Sequence, residues 1–264
     1  MITLARIAVY PFKSLDPVAV DEATVLSSGA LEHDRRFALC DETGAFINGK
    51  RDARIHGIRG TLDLLSGVVR VKAGDVSQDR LFHIEQDRAA LEDWFSDYFG
   101  RRVRIVENRV FGLPDDTEYP GPTVIGTATL ETVAAWFEGI TVDEARLRFR
   151  ANLEICGVEP FWEDRLVARV GDVVRFSIGA VQFEGMNPCA RCVVPSRSST
   201  TGDASATFQR SFVERRRASF PSWAEPERFD HFYRLAVNTR PVPATVPGRI
   251  RVGDEVRVLE TRPF

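Results

Sequence analysis

The chain has 264 residues, is 44% hydrophobic and 28% charged, and carries a net charge of −3. This is the balance of a globular protein able to bury a sizeable core, and nothing global in it points to nucleic acid or an anionic membrane as partner. No stretch reaches the ~20 apolar residues of a membrane span, and four cysteines (Cys40, Cys156, Cys189, Cys192) do not make a disulfide framework, so a reduced, cytoplasmic protein is expected.

The opening residues lack the basic region, long apolar run and cleavage site of a signal peptide, and read as a strand that begins at once. Up to about residue 110, short alternating runs broken by turn residues predict strands over 4–10, 18–26, 36–40, 60–65 and 68–71. One helix interrupts them: Asp87 is placed to cap 88–99, Leu91, Trp94, Phe95 and Tyr98 fall at helical spacing, and Gly100 stops it. Residues 111–123, rich in Pro, Gly and Asp, read as a linker. Beyond it Thr129 is expected to cap a helix carrying Leu130, Val133, Ala134 and Phe137, and Thr141 with Glu144 forms a capping box for the next. Strands are expected again over 148–156, 166–170, 173–178 and 180–184. A helix follows at 208–220, whose Arg215-Arg216-Arg217 run reads as a solvated or docking face, and then a final strand at 249–259. The expected architecture is mainly β with helices (α+β), in two packed barrel-like units.

Cys189 and Cys192 form the one CxxC of the chain. Four readings compete. Two small buried hydrophobes are a common fate of free cysteine. A zinc site wants four ligands, and neither a second cysteine pair nor a His-x₃₋₅-His is present. A thiol redox pair wants a following helix, whereas Val193-Val194-Pro195 continues as extended chain. The fourth reading is one thiolate ligand to a transition metal carried by an organic cofactor, since a soft metal suits sulfur. There Arg191 would help keep the neighbouring sulfur deprotonated, and Asn187-Pro188 would supply a tight turn.

Several phrases carry a resemblance. Arg148-Phe-Arg-Ala-Asn-Leu153, Phe161-Trp-Glu-Asp164, Val170-Gly-Asp172, Asn187-Pro-Cys-Ala-Arg-Cys192 and Thr201-Gly202 together resemble, in order and spacing, the MOSC (molybdenum cofactor sulfurase C-terminal) domain. Val9-Tyr-Pro-Phe-Lys-Ser14 and His33-Asp-Arg-Arg-Phe37 are similar to the β-barrel domain that precedes it. The resemblance implies an N-terminal β-barrel-like domain over 1–115 and a MOSC-type β-barrel domain over 116–264. Within MOSC proteins the two-part arrangement is most similar to the amidoxime-reducing component family. That family binds molybdenum–molybdopterin through a cysteine and reduces N-hydroxylated compounds with electrons from partner proteins.

Carried over by motif, Cys192 is the metal ligand and catalytic residue, with Cys189 in the cofactor loop beside Arg191. Lys13, Ser14, Arg35, Arg150, Asn152, Tyr233 and Asn238 are implied as cofactor contacts. Fixed cations suit the phosphate of molybdopterin and amides suit its pterin. Lys13 also stands out because the chain has only three lysines, Lys13, Lys50 and Lys72. Each residue has an ordinary alternative: Arg150 could pair with Glu154 or Asp172, Tyr233 could be core, and Lys13 a solvated strand end. No histidine has an acid–base partner at recognisable spacing. The run after Cys192 departs from the amidoxime-reducing pattern, which leaves substrate choice open. No cysteine follows Cys192, so no iron–sulfur cluster is expected in this chain, and no fused desulfurase-like domain is expected either. The electron donor would then be a separate reductase, iron–sulfur or haem protein. The alternative is a module that carries the cofactor or its sulfur without turnover.

Overall fold

A computed structural model describes residues 1–74 and 78–264. Among them the strands are β1 (Thr3–Val9), β2 (Val18–Val20), β3 (Glu22–Val25), β4 (Phe37–Asp41), β5 (Phe46–Ile47), β6 (Ile58–Leu62), β7 (Val68–Ala73), β8 (Arg80–His83), β9 (Val103–Glu107), β10 (Val124–Gly126), β11 (Leu153–Cys156), β12 (Asp172–Ile178), β13 (Val181–Ala190), β14 (Arg234–Pro241), β15 (Gly248–Arg251) and β16 (Val256–Pro263). The helices are α1 (Arg88–Phe99), α2 (Thr127–Ala135), α3 (Val142–Phe149) and α4 (Phe208–Ala218). No helix among the described residues is long and apolar enough to cross a membrane.

Eight strands form one sheet in the order β16-β12-β13-β14-β10-β11-β1-β2. Its two ends meet: Thr3 bridges Glu255, Leu4 N–H donates to Asp254 O, and Val256 N–H donates to Ile2 O, both at 2.9 Å. The separate β3–β15 pair lies beside it. The inward residues form one apolar core that includes Leu4, Ile7, Leu153, Phe176, Phe183 and Val237. Strands β1 and β3 thus pair with strands from the second half of the chain, and β2 joins the sheet through β1. The rest of the first half packs two three-stranded sheets, β5-β4-β9 and β6-β7-β8, with α1 around a second core. Helices α2, α3 and α4 cover a third, built on Phe149, Phe208, Phe212 and Leu235. The mixed α+β, barrel-like architecture is as expected.

Several elements differ from expectation, each for a local reason. The expected strand at 18–26 breaks after Val20, because β2 pairs with β1 whereas β3 pairs with β15. The span 148–156 is not one strand. Thr141 Oγ1 accepts Glu144 N–H at 3.1 Å, acidic residues fill the first turn and Arg146 and Arg148 the last, so α3 runs to Phe149. Arg150 then turns left-handed (φ 54°) before β11. The capping box is only half made, since Glu144 turns its carboxylate to Arg148 and Ser199.

The segment at 166–170 forms no strand. It crosses β13 closely enough that a Cβ on Gly185 would lie 1.8 Å from Leu166 O. The final expected strand divides at Gly253 (φ 92°) into β15 and β16. Gly126, not Thr129, precedes α2; Thr129 is buried within it, where its hydroxyl donates to Glu163 at 2.8 Å. Asp87 precedes α1 but accepts from His83 N–H rather than capping.

Two buried charge clusters lie inside the fold. Glu184 on β13 receives Arg175, Arg240 and Arg262. Arg216, the middle of the basic run on α4, is not solvated: it is 1% exposed, pairs with Asp164 and stacks over Phe161 at 4.3 Å. Beside this pair Glu163 is buried, and its carboxyl is pushed up by burial and by Asp164.

Candidate functional site

A cavity of about 590 Å³ opens between the first-half sheets and the end of the eight-stranded barrel. Nine lysine and arginine side chains line it against five carboxylates, and two of the chain's three lysines, Lys13 and Lys50, are among them. Every residue singled out from the sequence reaches it except Tyr233.

The chain leaves β1 through Tyr10 and enters a turn held by Lys13 N–H to Phe37 O at 2.8 Å. This places Lys13 and Ser14 (φ 71°) at the cavity wall. Lys13 Nζ is buried, donates to Leu113 O at 2.9 Å and pairs with Asp115 at 2.6 Å. Ser14 Oγ accepts Gly49 N–H at 3.3 Å.

Arg35 is not on a strand; it precedes β4 with φ 47°, anchored by its N–H to Tyr10 O at 2.7 Å. Its guanidinium meets Asp34, the Asn152 side-chain oxygen (3.0 Å) and Arg150 O (3.3 Å). The adjacent Arg36 turns away to Glu107 at 2.7 Å. Asn152 is 3% exposed and both ends of its amide are engaged: it donates to Ala8 O at 3.0 Å and Asp34 at 3.1 Å, and accepts from Arg35 and Thr123. It orients the cavity floor rather than presenting a free amide.

Arg150 is the outlier. Among the described residues it forms no ion pair; Glu154 is taken by Arg146 and Asp172 by Arg169. Its Nη2 is buried without a hydrogen-bond partner, and the guanidinium lies 4.1 Å from the Tyr10 ring centroid. Burial pushes its pKa down to about 10, with Arg35 adding to the effect and Tyr10 opposing it. A buried cation without an anion is costly unless something supplies one.

The thiols stand at the end of β13. Asn187-Pro188 is not a turn, as the dipeptide suggests, but part of the strand. The β13–β14 register shifts between Gly185 and Asn187 and again between Pro188 and Ala190, so the proline, which lacks an N–H, is accommodated at an irregularity. Cys189 and Cys192 are half-buried and both line the cavity. Arg191 N–H donates to Tyr233 O at 2.9 Å, while its guanidinium donates to Cys189 Sγ at 3.1 Å and to Phe149 O. Arg191 therefore serves Cys189 rather than Cys192. Tyr233 itself is 3% exposed and packs edge-on against Phe212; its backbone, not its ring, supports the site. Phe161 and Trp162 are likewise core.

The loop after Cys192 forms the far wall. Ser199 N–H donates to Glu144 at 3.0 Å, Arg59 donates to Ser199 O at 2.8 Å, and Arg148 donates to Pro195 O at 3.3 Å. Sequence reasoning missed Arg59, Arg197 and Lys50, which have no motif, Arg148, which stands in a motif but was given no part in the site, and His56, which it gave no role. His56 is buried in the lining, and burial followed by Arg150, Arg197 and Arg59 brings its pKa down to about 4, so it is neutral at pH 7.

The arrangement, a strongly cationic cavity holding a half-buried guanidinium with no ion pair among the described residues and two reachable thiols, suits an anionic ligand that accepts a sulfur donor. Comparison with known proteins agrees. Residues 1–102 match the MOSC N-terminal beta barrel domain and residues 124–257 the MOSC domain. The chain belongs to the MOSC-domain family, a family associated with molybdenum-cofactor binding. It is also similar to the human protein named Molybdenum cofactor sulfurase, at 22% identity over 246 residues, covering 75% of this chain and 27% of that protein. The chain thus spans about a quarter of that relative's length.

Proposed function

We propose that this protein holds molybdenum–molybdopterin, with Cys192 as the protein ligand to the metal, and reduces N-hydroxylated or related N-oxide compounds with electrons from a separate partner protein. The observation that carries the reading is Arg150, a half-buried guanidinium whose buried Nη2 has no hydrogen-bond partner and which forms no ion pair among the described residues, in a cavity that also holds Cys192. The residues fit the group: Lys13, Arg35 and Arg150 supply fixed cations for its phosphate, and half-buried Cys192 supplies a soft donor. When bound, the cofactor supplies the oxo-transfer chemistry, and the protein contributes binding, orientation and electrostatics.

Each side chain has a definable part in this. Asp34 and Asn152 fix the Arg35 guanidinium. The Glu144–Ser199 contact holds the far wall. Neutral His56 adds no further charge to the cationic lining. The overall reaction takes up electrons and protons and releases water. The experiment is to supply loaded protein with a chemical reductant and an amidoxime, and to measure the amidine formed. The reading requires turnover by wild type that is lost in Cys192→Ser; fully metallated, reduced protein that turns over no N-hydroxylated or N-oxide compound would refute it.

One observation favours a second reading, a carrier of the cofactor or its sulfur. Cys189, with a guanidinium donor at 3.1 Å, is a second thiol in the same cavity, and the human relative is named a sulfurase. Weak, exchangeable cofactor binding without turnover would select it.

A further inference from the structure

The strap that joins the two halves of the chain carries an acidic run, Asp115-Asp116-Thr117-Glu118, along the wall of a cationic cavity. It is fixed at both ends by close backbone approach. A Cβ on Gly112 (φ 64°) would lie 2.5 Å from Asp34 O, and one on Gly121 would lie 2.2 Å from Thr239 O. Between these points the strap grips the site by side chains. Asp115 places one carboxylate oxygen 2.6 Å from Lys13 Nζ and the other 2.9 Å from Lys50 Nζ. Asp116 accepts from the Asn238 amide at 2.9 Å and, with its other oxygen, caps Glu118 N–H and Tyr119 N–H, so the middle of the strap is built as a unit.

One carboxylate shared between two ammonium groups leaves a net positive charge at that point. A phosphate monoester dianion would neutralise both and offer more acceptor oxygens. Lys13 is buried, and its other hydrogen bond goes to the strap carbonyl of Leu113. Its hydrogen-bond and ion-pair partners therefore both come from the segment that a ligand would have to move, while the Phe46 ring beneath it stays in place.

We propose that Asp115 is an intramolecular occupant of the phosphate-facing pair Lys13 and Lys50, displaced when the phosphate monoester of a ligand binds there. The strap then sets ligand affinity, because apparent binding is reduced by the fraction of molecules whose strap is closed. Lys13 and Lys50 hold the Asp115 carboxyl at about 2 against the effect of burial, so the strap stays latched across the physiological pH range and ligand, not pH, opens it. The identity of the natural phosphate ester rests on the functional reading above; the subsite does not.

The test uses the whole chain and inorganic phosphate as probe, followed by titration calorimetry. Asp115→Asn should bind phosphate about tenfold more tightly than wild type, and Lys50→Met should lose most of the affinity. Phosphate binding no tighter in Asp115→Asn overturns the proposal. On unaltered protein, amide hydrogen exchange over residues 113–120 should quicken when phosphate is added; unchanged or slowed exchange also overturns it. Molybdenum and pterin content, measured separately, distinguishes the two ideas. A cofactor-free protein that shows the Asp115→Asn effect keeps the subsite and loses the functional reading. A loaded protein without that effect does the reverse.

Discussion

Replacing Arg150 with methionine should make the empty protein more stable while weakening its site. The guanidinium is held in a folded environment that brings its pKa down from the ordinary arginine value to about 10, chiefly by burial. The sign follows from linkage. A cation whose folded pKa lies below its unfolded value opposes folding; the penalty is complete below about pH 10 and disappears as pH rises past the ordinary arginine value. At ~1.4 kcal/mol per pKa unit the penalty at pH 7 is about 3 kcal/mol. The contact with the Tyr10 ring returns ~1 kcal/mol of this, leaving about 2 kcal/mol to be gained. Methionine keeps an unbranched apolar stem, and the left-handed backbone at this position is equally strained for both residues. The expected rise in thermal midpoint is roughly 4–8 °C for a chain of this size. The assay is thermal and urea unfolding of protein made in a host without molybdopterin, paired with cofactor content from a host that makes it. If Arg150→Met is less stable than wild type, or holds as much pterin, the account of Arg150 as an anion-seeking cation is wrong.

Other expectations concern the buried carboxylates. Glu184 is held down at about 2 by Arg262, Arg240 and Arg175 against the effect of burial, so it stabilises the fold above its ordinary value of 4.5 and loses that contribution as pH falls toward 2. Glu184→Gln should cost about 3 kcal/mol in urea unfolding at pH 7, with the gap to wild type closing at pH 2–3. Glu163 shifts the other way, raised by burial and then by Asp164. Its contribution is complete at low pH and is lost as pH rises from its unfolded value through the folded one. Urea midpoints at pH 5 and pH 9 should therefore differ more in wild type than in Glu163→Gln; equal differences would remove Glu163 as the cause.

The sequence was legible where one element decides its own structure. The α1 spacing of Leu91, Trp94, Phe95 and Tyr98 and the Gly100 stop are local, and so is the Thr141 cap of α3. It failed where a distant partner decides. The edge between β2 and β3 is set by β1 and β15, and β13 runs through Asn187-Pro188 because β14 shifts register beside it. Arg216 belongs to a basic run by sequence, yet is drawn into the core by Asp164, some fifty positions earlier in the chain. The motif residues converge on one cavity, but their partners are tertiary facts. Asn152 is fully engaged by Ala8 and Asp34, and Arg191 reaches Cys189. The strap residues carried no motif at all, so Asp115 and Lys50 emerged only from their meeting in space.

The central claim is that Cys192 binds a molybdenum-bearing pterin. The protein should be purified from a molybdopterin-producing host, and molybdenum and pterin measured per chain for wild type, Cys192→Ser and Cys189→Ser. The account predicts stoichiometric metal and pterin in wild type, retention in Cys189→Ser and loss of the metal in Cys192→Ser. Wild type with neither metal nor pterin, or metal retained in Cys192→Ser, would contradict it.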